Sequence, residues 1–107
     1  LFIELHSESA LAANAQYWIG ECQYRMGRYR DALKSFNEVV SNYPLSPKLA
    51  ASTLKLGQTY TKLRAHETAR LRFDRVVGQY PDSSEAELAR KAIEATATAE
   101  DSTNQSP

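Results

Sequence analysis

The chain has 107 residues, a length that fits one domain, and 42% of them are hydrophobic, enough for a core. Its 13 basic and 13 acidic residues balance, which argues against a dedicated nucleic-acid binder. Cys22 is the one cysteine, so an internal disulfide or a cysteine-based metal site is excluded, and no apolar run approaches the ~20 residues of a membrane span. No initiator Met or signal-peptide pattern opens the sequence, which therefore reads as a piece of a longer or processed protein.

Residues 1–6 read as the last turns of a helix that begins earlier, with Phe2 and Ile3 as its apolar pair; an N-terminal capping segment is the other reading. Residues 9–26 form the next helix, with Ser9 as its cap. Leu11, Ala12, Ala15, Ile19, Cys22 and Met26 recur at three- and four-residue steps and are expected to be its buried stripe. Gly27 ends it. Residues 29–42 form a second helix with Ala32, Leu33, Phe36, Val39 and Val40 inward, stopped by Pro44. Ser46 then caps a helix over 46–63 that buries Leu49, Ala50, Leu56, Gly57 and Tyr60. Arg64-Ala65-His66 stands where Gly27-Arg28-Tyr29 stood, so that turn is expected to be strained or differently shaped. Residues 67–79 turn Ala69, Phe73, Val76 and Val77 inward and stop at Pro81. Residues 83–98 form a last helix with Ala86, Leu88, Ala89, Ala92 and Ile93, covering the open edge of what precedes it. Residues 100–107 are small, polar and acidic, and are expected to be disordered.

These elements repeat. Gly20, Ala32, Phe36, Val39, Tyr43, Pro44 and Ser46 recur 37 residues later as Gly57, Ala69, Phe73, Val76, Tyr80, Pro81 and Ser83. Leu56-Gly57-x2-Tyr60, Ala69-x3-Phe73 and Pro81 follow the tetratricopeptide repeat (TPR) pattern, whose usual period is about 34 residues. The expected fold is an all-α, right-handed TPR solenoid. It has two full helix pairs, a partial helix before them and a lone helix after. One domain spans 1–98, with repeats over about 9–45 and 46–82, a final helix over 83–98 and a tail over 99–107.

Nothing in this pattern carries catalysis. His6 and His66 lack partners at triad or metal spacing, Cys22 lies on the expected core stripe, and no phosphate-binding loop is present. No enzyme activity, cofactor or metal is expected. In TPR geometry the first helices of successive pairs line a concave groove. Tyr17, Glu21, Tyr24 and Arg25 fall there on the first, Leu54, Lys55, Gln58, Thr61 and Lys62 on the next, and Lys91 on the third. Tyrosines of this kind are enriched at binding hot spots. Trp18 runs beside them and reads as packing against a preceding helix.

Charge is uneven. Residues 48–75 hold seven basic against two acidic side chains, and residues 76–107 hold two against six. Lys48, Lys55 and Lys62, seven apart, form one stripe suited to an anionic partner. A weak head-to-tail self-association is also plausible, with residues 82–107 of one molecule near Lys55 and Lys62 of another. Nucleic acid fits poorly, because basic and aromatic residues are not interleaved.

Ala13-Asn14-Ala15-Gln16-Tyr17-Trp18-Ile19-Gly20-Glu21, Tyr43-Pro44-Leu45-Ser46-Pro47-Lys48, Lys55-Leu56-Gly57 and Tyr80-Pro81-Asp82-Ser83 resemble the C-terminal TPR domain of the Tol-Pal accessory protein family YbgF/CpoB. The resemblance covers roughly residues 1–95. It implies a periplasmic, non-enzymatic scaffold, preceded by a signal peptide and a coiled coil that makes a homotrimer. It also implies binding to TolA and coordination of outer-membrane constriction with the peptidoglycan synthesis machinery at cell division. Gln23 stands where the family usually has Tyr, which bears on local packing. Outer-membrane assembly lipoproteins with TPR folds share the Tyr-Pro-x-Ser punctuation and are the nearest alternative. A self-associating structural module and a cytosolic clamp for chaperone tails are the others, and the clamp would need several basic residues at fixed concave positions.

Overall fold

The computed structural model describes the backbone of residues 2–104 and the side chains of residues 8–96. The described residues form five helices: α1 (Phe2–Arg25), α2 (Tyr29–Asn42), α3 (Leu49–Lys62), α4 (His66–Gln79) and α5 (Ser84–Asn104). Each packs on its neighbour in sequence, and α3 also touches α5. The result is an all-α helical solenoid.

One wedge, used twice, sets the pairing. Phe36 of α2 lies against Gly20 of α1, and Phe73 of α4 lies against Gly57 of α3. A Cβ on Gly20 would fall 2.7 Å from the Phe36 ring, and one on Gly57 would fall 2.5 Å from the Phe73 ring. Both distances lie far inside the ~3.5–4.0 Å of a relaxed carbon contact. Both rings are buried, as the sequence predicts. The third position of this series is Glu94, so α5 offers no such notch.

The core runs between helix pairs. Phe36 and Ala32 meet Leu56 of α3, and Phe73, Ala69 and Val76 meet Leu54, Ala86 and Ala89. Gly27 takes φ +79 after α1, as its place predicts. Arg64, its counterpart, takes φ +64, so the turn keeps its shape and a side chain bears the left-handed conformation. Ser83 caps α5 by accepting the Ala86 N–H at 3.0 Å. Ser46 sits two residues farther out and accepts from the Lys48 N–H at 2.9 Å.

Several expectations need correction. Residues 1–6 and 9–26 are not two helices: α1 runs from Phe2 through Arg25, and Ser9 caps nothing. Ser7 occupies the position of Pro44 and Pro81, so nothing stops the helix there. The stripe of Leu11, Ala12, Ala15, Ile19, Cys22 and Met26 is exposed. Ala13 and Gly20 are buried in its place, with Tyr17 and Tyr24 half-buried beside them. Leu88 is half exposed as well. Helix α5 continues through Asn104, beyond the expected end at residue 98, while residues 105–107 lie outside the described ones, as do the side chains of Phe2, Ile3 and His6.

Candidate protein-binding groove

Helices α1, α3 and α5 are the ones expected to line a groove. Tyr17 is held on α1 by two ring contacts, to Phe36 at 5.7 Å and edge-on to Trp18 at 5.1 Å between centroids. Tyr24 lies one heptad on and meets Tyr29 of α2 edge-on at 5.4 Å. Ser35, buried on α2, donates to Gln23 Oε1 at 2.6 Å. That bond gives Gln23 a packing role of its own.

The lysine stripe crosses these aromatics. Lys48 places Nζ 5.0 Å from the centre of the Tyr17 ring and 5.3 Å from that of Trp18. Lys55 Nζ lies 3.9 Å from the Tyr24 ring centre and 2.8 Å from Glu21 Oε1. Both cations are within the ~6 Å at which a ring face attracts charge. Arg25 approaches the other Glu21 oxygen at 3.6 Å. Lys55 and Glu21 are largely buried, so this pair ties α1 to α3 across the groove floor.

Burial raises the phenol of Tyr17 above its ordinary range, and the charges of Glu21 and Glu85 push it the same way, against the smaller pull of Arg25. Burial also raises Tyr24, helped by Tyr29 and then Glu21. Both phenols stay neutral donors at physiological pH.

The expected site residues divide accordingly. Tyr17, Glu21, Tyr24 and Lys55 come together as one cluster. Arg25, Thr61, Lys62 and Lys91 are exposed, and Gln58 is half-buried. Leu54 does not line the groove: it is 5% exposed and packed with Phe73 and Ala86. Lys55 is turned inward, so the expected head-to-tail contact loses its central cation. Trp18 keeps 52% of its surface exposed rather than packing against a preceding helix. Lys48, set by its spacing on one stripe with Lys55 and Lys62, joins the cluster through its contacts with Tyr17 and Trp18. His66 is exposed, and the described residues contain no cluster of metal-ligating side chains.

The repeated notch, the wedge and the groove now carry a family assignment. The tetratricopeptide repeat family matches residues 14–46 and 51–83, more than half of the chain. The chain belongs to the tetratricopeptide repeat family. No curated protein matches it. Tetratricopeptide repeats are protein-interaction modules, and the groove residues above lie mostly within the two matched segments. Among the described residues no helix is long and apolar enough to cross a membrane.

Proposed function

We propose that the chain is a non-enzymatic scaffold of the bacterial periplasm that holds a protein partner in the groove of α1, α3 and α5. The partner is TolA of the Tol-Pal system, and the binding coordinates outer-membrane constriction with peptidoglycan synthesis during division. The groove cluster carries this reading: Tyr17 and Tyr24 are fixed by ring contacts and by Lys48 and Lys55. Anchors already held in place lose little freedom on binding. Exposed Lys62 and Lys91 add positive charge for an acidic segment. The choice of TolA rests on the resemblance of residues 13–21 and of the Tyr-Pro-x-Ser turns to the YbgF/CpoB family.

Calorimetric titration with the periplasmic part of TolA tests it. The expected result is saturable binding that weakens about tenfold or more, worth ~1.4 kcal/mol or more, in a Lys62→Glu, Lys91→Glu double variant. Both positions are exposed, so the melting curve should stay in place. Absence of binding, or binding indifferent to both substitutions, overturns the proposal.

A further inference from the structure

Helix α1 is apolar on two opposite faces. One carries Ala13, Tyr17, Gly20 and Tyr24 and packs toward α2. The other carries Leu11, Ala15, Trp18, Ile19, Cys22 and Met26, with Leu11 68%, Ile19 47% and Met26 63% exposed. A helix that is apolar all round is ordinarily buried. The second repeat shows this face in its covered state. The counterparts of Ala15, Ile19 and Cys22 are Ser52, Leu56 and Thr59, all 0% exposed in the repeat where α2 packs on α3.

We propose that this outer face of α1 pairs antiparallel with the same face of a second copy of the chain. The stripe is self-complementary in that direction. With a two-fold axis between Trp18 and Ile19, Leu11 lies level with Met26 of the second copy, Ala15 with Cys22, and Trp18 with Ile19. Long side chains meet long ones at the ends, and small ones meet twice, letting the helices approach. Charge selects the direction. Exposed Glu8 ends the stripe on one side, and exposed Arg25, Arg28 and Arg30 end it on the other. Antiparallel pairing sets the Glu8 end of one copy beside the Arg25 end of the second, whereas parallel pairing sets like charges together. Opposed helix dipoles favour the same direction. The contact is isologous and closes at two copies. Lys62 and Lys91 remain open to a partner in the groove.

Light scattering and oxidative cross-linking of the full chain test this. The expected mass rises from that of one 12.0 kDa chain toward twice it with concentration. Ile19→Glu should weaken the dimer about tenfold or more without loss of helicity, since the position is exposed in the single chain. Ala15→Cys should yield a covalent dimer under mild oxidation, because the new thiol faces Cys22 of the second copy. The wild-type chain should not cross-link. In this register its two Cys22 residues are seven residues apart along the axis, roughly 10 Å, beyond the ~7 Å Cα separation a disulfide spans. A monomer at every concentration overturns the proposal. So does ready Cys22–Cys22 bridging, a dimer that ignores Ile19→Glu, or a dimer in which Ala15→Cys fails to cross-link.

Discussion

Gly57→Ala and Gly78→Ala make the same chemical change in two helices, and the packing makes their effects opposite. An alanine gains about 1 kcal/mol over glycine in a helix interior. At Gly78 a Cβ meets nothing within 4 Å, so the gain survives. Because Gly78 lies in the last turn of α4, about 0.5 kcal/mol of it is expected. At Gly57 a Cβ meets three carbons of the Phe73 ring, at 2.5, 2.8 and 2.9 Å. The ring must retreat by about 1 Å to reach contact distance, and it is 2% exposed among Leu54, Ala69, Val76, Ala86 and Ala89. Overpacking of this kind costs about 1–3 kcal/mol. With so little room the upper half applies, for a net loss of about 1–2 kcal/mol after the helix gain. Urea melts of both variants measure the difference. Adding Phe73→Leu to Gly57→Ala should recover part of the clash, seen as a coupling between the two changes. If Gly57→Ala is neutral or stabilising, or if both alanines shift stability in the same direction, the wedge does not set the pairing of α3 with α4.

Three further outcomes follow from the geometry. Arg64→Gly relieves a left-handed side-chain conformation and should raise stability by about 1 kcal/mol, or ~4–8 °C in Tm; an unchanged melt would show the turn to be unstrained. Lys55→Ala strips the largely buried Glu21 of its closest cation and should cost about 2 kcal/mol, whereas exposed Lys62→Ala should stay within ~0.5 kcal/mol; equal losses in urea melts would refute the distinction. Tyr17 and Tyr24 hold their protons more tightly folded than unfolded, so stability should be flat at neutral pH and fall as pH rises past the ordinary phenol value of about 10. Melts across that window should show a smaller fall in the Tyr17→Phe, Tyr24→Phe variant, and a stability that rises instead would contradict the sign.

The repeat was legible because Gly20, Phe36, Gly57 and Phe73 do a job that few residue types can do, and the 37-residue spacing repeats it. The buried face of α1 was not legible. Leu11, Ile19 and Met26 have the periodicity of a core stripe, and periodicity reports that a face is apolar without reporting whether a neighbour covers it. The continuation of α1 past Ser9 turned on one missing proline, at Ser7. In the groove, spacing placed Tyr17, Glu21, Tyr24 and Lys55 on the right helices. It missed the burial of Leu54, because that depends on where α5 crosses α3 and α4, a long-range arrangement that local sequence does not encode.

The replacement of the third notch by Glu94 bears on modular engineering of this array. Copying the Ala-x3-Phe helix onto the end of α5 would not lengthen the stack. The appended ring would strike the Cβ of Glu94 where its predecessors found open space at Gly20 and Gly57. Concatenation therefore needs one enabling edit, Glu94→Gly, before a further unit can dock in the same register. The same edit made alone trades a good helix former for the poorest residue short of proline and should loosen α5 by about 1 kcal/mol. In this chain, the permission to grow and the stability of α5 are set against each other at a single side chain.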